Sequence, residues 1–396
     1  MNHELDIKAF FALVRIGLWG HTETTDSTEN LVSWEGVDWN KVYRFAEEQS
    51  VIGLVAAGIE AVQGSWTNQA TKPSAGSKVQ VFPPVPQEWA LQFVGQTLQI
   101  EQRNKVMNAF VAELIVKLRK ADIYAILVKG QGIAQCYEKP LWRSCGDVDL
   151  FLSEVNYAKA KELLLPLGVI TEPEEKGKKH FAMSIDGWAV ELHGTLHTGL
   201  SARVDRTLDE IQNVTFYGGS VSSWNNDGVQ VFKLSKENEV FYVFAHFLGH
   251  FYKGGIGLRQ ICDWCRLLYT YRESLDYGLL ESRIRKAGLV SEWKAFYNLA
   301  SRYLGMPDFG SGLMIHDSRF DKKAERIKEF ILEVGNFGHN RDMSYYDKYP
   351  YVVRKSISAW WRVKDLYRHA MIFPLDSLRF FPRIMWNGVV SAIRGE

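Results

Sequence analysis

Two aspartates separated by a single residue are the residues of this sequence most suited to catalysis or metal binding. Asp147 and Asp149 lie in the segment Gly146-Asp147-Val148-Asp149-Leu150, in which apolar and polar residues alternate as in a β-strand. The alternation places both carboxylates on one face, about 7 Å apart along the chain, where they repel each other. Mg²⁺ is a natural partner for such a pair, because it binds one or two carboxylates together with substrate phosphates. Two solvent-facing residues on a half-exposed strand would give the same pattern.

A third carboxylate is expected beside this pair. In the strand pattern Ala189-Val190-Glu191-Leu192-His193, Val190 and Leu192 share one face, and Glu191 and His193 share the other. His180 starts the preceding strand pattern, and the two patterns are joined by Asp186-Gly187, a strong hairpin signal. The two histidines are therefore expected to flank the acidic site.

Upstream, a glycine-containing turn follows a buried strand pattern. The apolar run from Ile123 to Val128 leads into Lys129-Gly130-Gln131-Gly132 and a short helical pattern. Backbone N–H groups at such a turn favour phosphate, although a tight turn without a ligand has the same sequence. Lys129 and Arg143 are candidate phosphate contacts, Arg143 through its bidentate guanidinium, although such a residue taken alone is more often a surface charge.

The patterns around these residues predict an α+β fold, a small mixed β-sheet core flanked by N-terminal and C-terminal helical regions. Residues 1–120 are expected to be helical, with a Gly, Ser, Thr and Pro-rich loop at 64–86. Residues 121–232 form the expected α/β core. Residues 233–396 are expected to be helical, with helices that begin after Ser235 and near Leu258, Leu279 and Ser291.

The order of turn, D-x-D strand and later acidic strand resembles the nucleotidyltransferase superfamily. It is most similar to the bacterial family described as uncharacterised nucleotidyltransferases, which is associated with surface-polysaccharide and natural-product gene clusters. The resemblance covers most of residues 5–310. It rests on these residues: Leu127-Val128-Lys129-Gly130, Arg143, Asp147-Val148-Asp149-Leu150, His180, Val190-Glu191-Leu192-His193, His246, His250, Gly257-Leu258-Arg259 and Asp263-Trp264.

This resemblance implies a transferase reaction in which an acceptor attacks the α-phosphorus of a nucleoside triphosphate and releases pyrophosphate. ATP is the expected donor, and the acceptor is a small molecule, a sugar or a protein. Asp147 and Asp149 would hold Mg²⁺, and Glu191 would complete the metal site or act as the base. The residues expected to contact the nucleotide are Lys129, Gly130, Gly132, Arg143, His180 and His193.

The turn departs from the superfamily pattern, in which Gly is followed at once by Gly or Ser. Here Gln131 follows Gly130, and Gly132 comes one place late. This departure favours an alternative function, a catalytically silent nucleotide-binding or ligand-binding module of a polysaccharide or natural-product pathway.

Composition narrows the class of protein. The chain has 396 residues, 47 basic and 46 acidic, which leaves a net charge of +1 and no expectation of a DNA partner. Four Cys residues do not form a disulfide framework. The acidic segment from Met1 to Asp6 is unlike a signal peptide, and no apolar run is long enough to span a bilayer. A cytoplasmic location is expected.

Three further groups of residues have open interpretations. His246 and His250 share a helix face, which suits structural histidines, a substrate-facing pair, or the metal ligands of a hydrolase. Cys262 and Cys265 are expected to be buried, inert thiols. Arg259 and Asp263, four residues apart, are expected to pair with each other.

The segment 348–396 combines basic and aromatic residues. It has nine basic and three acidic residues and includes Trp360, Trp361 and Trp386. Such a pattern is compatible with peripheral membrane contact or with nucleic-acid contact. A helical lobe that packs its aromatic residues on the core would have the same composition.

Overall fold

The computed structural model describes residues 2–20, 34–70, 85–172, 174, 179–310, 312–336, 348 and 350–394. Four helices precede the sheet: α1 (Asn2–Trp19), α2 (Trp39–Glu48), α3 (Ile52–Ala70) and α4 (Gln87–Lys120). α3 continues through Ala70, so the first residues of the predicted loop at 64–86 are helical. Residues 71–84 of that predicted loop lie outside the described residues.

The N-terminal helices hold the segment that leads into the site. A Cβ at Gly53 of α3 would lie 2.0 Å from the carbonyl oxygen of Trp142, so only glycine allows this contact. Asn104 of α4 donates hydrogen bonds to the carbonyl oxygens of Leu141 (2.7 Å) and Arg143 (2.8 Å). These contacts fix the residues that immediately precede Asp147.

Seven strands form one mixed sheet in the order β3-β4-β5-β2-β1-β7-β6. The strands are β1 (Ala125–Val128), β2 (Asp147–Leu152), β3 (Val169–Glu172), β4 (His180–Ile185), β5 (Trp188–His193), β6 (Val221–Asn226) and β7 (Val229–Leu234). β2 is central: it pairs antiparallel with β1 and parallel with β5. Its apolar residues Val148, Leu150 and Leu152 are buried, which explains why the strand forms with this register.

Helices lie between the strands and beyond the sheet. α5 (Gly130–Ala134), α6 (Glu154–Leu164) and α7 (Ala202–Phe216) are interleaved with the strands. The C-terminal helices are α8 (Lys236–Lys253), α9 (Leu258–Tyr271), α10 (Tyr277–Ala287), α11 (Val290–Leu304), α12 (Asp321–Val334), α13 (Tyr351–Ile372) and α14 (Pro374–Arg394). None of the described helices combines the length and the apolar character that crossing a bilayer requires.

The predicted α+β arrangement, a small mixed sheet flanked by N-terminal and C-terminal helices, is confirmed. β4 begins at His180, β5 ends at His193 and α9 begins at Leu258, as predicted. β3 and α7 were not predicted from the sequence, and neither was the hairpin of β6 and β7, which extends the sheet beside β1.

Candidate functional site

The pairing of β2 with β5 brings the acidic residues together. In this parallel pair Asp149 lies opposite Glu191, and Phe151 lies opposite His193. β4 pairs antiparallel with β5 and places His180 opposite His193. The side chains on this face of three neighbouring strands therefore converge where β2 begins.

The three carboxylates form one cluster. Ligand oxygens of Asp147, Asp149 and Glu191 all lie within 4.8 Å of one another. The negative charge of Asp149, followed by burial, raises the pKa of Asp147. Asp147 is half-buried, whereas Asp149 is only 1% exposed. The repulsion between Asp147 and Asp149 therefore favours a cation at this cluster.

Asp149 is the most constrained of the three. Its Oδ1 lies 2.8 Å from Nζ of Lys129 and 2.9 Å from Nε2 of His193. Its Oδ2 is buried and has no hydrogen-bond partner. A buried carboxylate oxygen without a donor is costly, so the geometry leaves this atom available to a ligand.

Glu191 is held in its ionised form. Its Oε2 lies 3.2 Å from Nε2 of His180 and 3.4 Å from Nε2 of His193. Burial alone would raise the pKa of Glu191, but the hydrogen bonds from both histidines and the charge of Lys129 lower it far below its ordinary value. A carboxylate with so low a pKa has little tendency to take a proton.

His193 connects two of the carboxylates. Burial alone would lower the pKa of His193, but its hydrogen bonds to Asp149 and Glu191 outweigh burial and raise the pKa. His193 also belongs to a second group, with His180 and Glu191, whose ligand atoms lie within 4.8 Å of one another. Both histidines predicted to flank the acidic site are therefore in contact with it.

Lys129 lies between the carboxylates and α8. Its Nζ is 3.3 Å from Nε2 of His246, and that nitrogen is 3.0 Å from Nε2 of His250. Burial and the positive charge of Lys129 lower the pKa of both histidines, that of His250 to about 4. Both imidazoles are thus neutral at pH 7.

The backbone at Lys129 is unusual for a residue with a side chain. Lys129 has φ 60° and ψ −150°, and Gly130 has φ 45°. A non-glycine residue with positive φ costs free energy and persists only where its surroundings enforce it. This backbone conformation points to a turn whose shape is set by its neighbours.

Two buried polar contacts hold that turn. Nε2 of Gln131 donates to Oδ1 of Asn104 at 3.0 Å, which ties the turn to α4. Nζ of Lys233 donates to the carbonyl oxygen of Gly132 at 2.9 Å, and Glu239 lies 3.4 Å from the same ammonium group. Gln131, the residue that departs from the superfamily pattern, is therefore a structural link between the turn and α4.

Arg143 does not reach the carboxylate cluster as a free cation. Its guanidinium pairs with Asp263 through Nε at 3.0 Å and Nη2 at 2.5 Å, and Tyr137 donates to the same carboxylate at 2.7 Å. The predicted pair of Arg259 with Asp263 is thus replaced by a pair between residues 120 positions apart. A buried, bidentate pair of this kind is typical of structural ion pairs.

Arg259 is left with an unused donor. Its Nη1 donates to the carbonyl oxygen of Ser144 at 2.8 Å, while its Nε is buried without a partner. Arg259 lowers the pKa of Asp147 by its charge, which places its guanidinium near the acidic cluster. Its helical spacing from Asp263 predicted an ion pair instead, whereas the Gly257-Leu258-Arg259 segment at the start of α9 was the signal that could have identified its place beside the cluster.

The other sequence candidates lie outside this cluster. Cys262 and Cys265 are fully buried, and burial raises the pKa of both thiols, as expected for inert residues. Among the described residues, the groups of side chains suited to a metal ion are the two that share Glu191, and neither includes His246 or His250.

The acidic cluster fits a divalent metal ion. It presents oxygen ligands from three side chains, an unpaired buried oxygen on Asp149, and mutual repulsion that a cation would relieve. All-oxygen ligands suit Mg²⁺ better than softer metals. Asp147, Asp149 and Glu191 are the residues that would hold such an ion.

Comparison with known proteins assigns the family. A family model described as "Uncharacterised nucleotidyltransferase" matches residues 35–305. Searches of curated proteins and of solved structures gave no match. The matched range contains the turn, all three carboxylates and α8. It confirms the resemblance expected from the sequence and supports a transferase that acts on nucleotides. The chain therefore belongs to the family of uncharacterised nucleotidyltransferases.

Proposed function

We propose that this chain is a Mg²⁺-dependent nucleotidyltransferase that moves a nucleoside monophosphate from a triphosphate, with ATP as the expected donor, to an acceptor on a small molecule, a sugar or a protein. The observation that carries the proposal is the buried, unpaired Oδ2 of Asp149 within a cluster of three carboxylates. Family membership supports the same class of reaction.

Asp147, Asp149 and Glu191 would hold the metal. Bound there, Mg²⁺ would supply neutralisation of the triphosphate charge. Lys129 and His193 orient Asp149 through their contacts with Oδ1. Because the pKa of Glu191 is so low, we assign this residue to the metal site and not to the role of general base.

The nucleotide phosphates need cations beyond the metal site. We propose Arg259 for this role, since its Nε is unpaired and its charge acts on Asp147. Arg143, the arginine expected from the sequence, has its guanidinium engaged by Asp263. Its proposed contribution is to hold the segment before Asp147 in place.

The acceptor would approach from the side of α8. Nε2 of His246 lies 3.3 Å from the Lys129 ammonium group and accepts from it, so the neutral ring has its Nδ1–H available to donate to an acceptor oxygen. The Lys129 ammonium group contacts both Asp149 and His246, so it joins the carboxylate cluster to the proposed acceptor side.

The alternative is a module that binds nucleotide without turnover. The departure at Gln131 favoured it in the sequence. In the structure Gln131 has a packing role, because its amide reaches Asn104. The three carboxylates needed for chemistry are assembled beside the turn, which favours the enzyme over the silent module.

Calorimetric titration with ATP, GTP, CTP and UTP, with and without Mg²⁺, tests the proposal. We expect Mg²⁺-dependent binding of one triphosphate to the wild type and its loss in the Asp147→Ala/Asp149→Ala variant. Asp186→Asn/Asp227→Asn is a matched control, because it neutralises two exposed aspartates in hairpin turns that tolerate Asn.

Turnover then separates the two functions. Transfer of label from α-³²P nucleotide to an acceptor mixture, with release of pyrophosphate, would establish the enzyme. Binding that depends on the carboxylates without any such transfer would identify the silent module. Absence of binding to all four triphosphates would refute the enzyme and leave a module that binds a different ligand.

A further inference from the structure

The C-terminal helices α13 and α14 form a hairpin with one face on the core. The ring of Phe380 lies 5.0 Å from that of Tyr252, and the ring of Phe373 lies 6.4 Å from that of Phe251. Leu366, Ile372 and Ile384 are also buried. On this face the hairpin packs aromatic residues on the core, which is one of the arrangements that the composition of residues 348–396 allowed.

The opposite face exposes large apolar side chains. Trp360 and Tyr367 of α13 are each 68% exposed, and Leu375, Leu378 and Trp386 of α14 are 69–79% exposed. The apolar residues Val353, Val363, Met371 and Met385 are also exposed, to 36–50%. The expectation that the aromatic residues pack on the core therefore holds for Phe373 and Phe380 and fails for Trp360 and Trp386.

The exposed residues are spaced as a second helical stripe on each helix. On α13 they fall at 353, 360, 363, 367 and 371, and on α14 at 375, 378, 385 and 386. Steps of three, four and seven residues place side chains on one helix face. A surface helix of a soluble protein normally has polar residues there, so each helix has two apolar faces where one is usual.

The charges of the hairpin are unevenly placed. Its described carboxylates do not face solvent fully: Asp365 is 5% exposed and Asp376 is half-buried. Arg368, Arg379 and Arg383 serve to dock the hairpin, through Glu333 (2.6 Å), the carbonyl oxygen of Gly288 (2.9 Å) and Asp205 (2.8 Å) respectively. Lys364 is exposed, next to the stripe, and Arg362 is half-exposed.

We propose that this outer face binds the surface of an anionic phospholipid bilayer, with its apolar side chains at the level of the lipid headgroups. Trp and Tyr are the residues that favour this interfacial region, and basic residues beside them favour anionic lipid. The hairpin lies beyond residues 35–305, the range matched by the family model, so the proposal is independent of the nucleotidyl transfer reaction.

A second copy of the chain is a weaker fit to this face. Apolar residues at steps of three and four also occur in helix-helix interfaces. A symmetric dimer, however, would bring the Lys364 side chains of both copies to the same interface, with no exposed carboxylate of the described hairpin to pair with them. An anionic surface complements this charge, whereas an identical face does not.

Co-sedimentation of the full chain with vesicles tests the proposal. Vesicles of phosphatidylcholine alone are compared with vesicles that also contain phosphatidylglycerol, at low and high salt. We expect binding to the anionic vesicles that weakens with salt. The Trp360→Glu/Trp386→Glu variant should lose binding about tenfold or more. Leu91→Glu/Leu98→Glu is the matched control, because it places the same charges at exposed apolar positions of α4.

Circular dichroism melting of each variant shows whether it is folded. If the double Trp variant is unfolded, Lys364→Glu replaces it, because this substitution reverses a charge on an exposed side chain. If the wild-type protein does not co-sediment with anionic vesicles at low salt, the proposal is overturned. A concentration-dependent dimer or RNA binding that is lost in the Trp360→Glu/Trp386→Glu variant, without vesicle binding, would overturn it in favour of those partners.

Discussion

Replacing Asp147 by Asn should stabilise the metal-free protein while removing its response to Mg²⁺. Carboxylate oxygens of Asp147 and Asp149 lie within 4.8 Å of each other. Repulsion from Asp149 is the largest cause of the raised pKa of Asp147. Two unit charges at that distance repel by about 3 kcal/mol at an effective dielectric constant of 20. Because Asp147 is half-exposed and Lys129 offsets part of the repulsion, we expect a gain of about 1 kcal/mol.

Urea denaturation measures this gain directly. With a chelator present, Asp147→Asn should unfold at a higher urea concentration than the wild type, with the same slope. Addition of Mg²⁺ should shift the wild-type midpoint upward and leave the variant unchanged, since a ligand stabilises only the state that binds it.

The pH dependence has a definite sign. The folded pKa of Asp147 lies above its ordinary value of 3.8, so the folded state takes up a proton first as the pH falls. The advantage of Asp147→Asn should be complete at pH 7, shrink as the pH falls through the raised pKa, and vanish below 3.8. Asp186→Asn, which removes a charge at an exposed turn residue outside the cluster, is the control. Lower stability of the metal-free Asp147→Asn protein would refute the reasoning, because it would make Asp147 a structural partner.

Three further changes have effects that the structure predicts. Asp149→Asn should destabilise the metal-free protein by about 3–5 kcal/mol, because it leaves the Lys129 ammonium group without its buried counter-charge. This effect is opposite in sign to that of Asp147→Asn. Urea unfolding with a chelator measures it, and unchanged stability would contradict the prediction. Asp263→Asn should cost a similar amount through the unpaired Arg143, again measured by urea unfolding. The pKa of His250 in the folded state is about 4, below its ordinary value of 6.5. The free energy of unfolding should therefore fall by up to about 3 kcal/mol as the pH decreases from 6.5 to 4. His250→Gln should remove most of this pH dependence, as measured by urea unfolding across that range.

The acidic strands were predictable because their signals are local. Alternation of apolar and polar residues defined β2 and β5, and Asp186-Gly187 marked the hairpin between β4 and β5. Asp227-Gly228 carries the same signal in the hairpin of β6 and β7, where both residues have positive φ. That hairpin was missed because β6 is polar and half-exposed, so its pattern lacks a buried face.

The polar contacts behind the site were not predictable. A helical spacing of four residues suggested that Arg259 pairs with Asp263, whereas the carboxylate pairs with Arg143 from a distant part of the chain. Local spacing gives a pair on a helix surface about 0.5 kcal/mol, and a buried bidentate pair outweighs that amount. Which arginine is buried beside Asp263 depends on how α9 packs against the segment before β2, and no local pattern contains that information.

The irregular glycine turn is better explained by its supports than by loss of function. Lys129 has positive φ, which costs of the order of 1 kcal/mol or more for a residue with a side chain. Gln131 donates a buried hydrogen bond to Asn104, and Lys233 donates one to the carbonyl oxygen of Gly132, so both residues after Gly130 are held in place. A turn kept in a costly conformation by two buried polar side chains has its shape enforced by the fold. In this conformation Nζ of Lys129 lies 2.8 Å from Oδ1 of Asp149. Gln131, the residue that departs from the superfamily pattern, therefore helps to hold Lys129 against the carboxylate cluster.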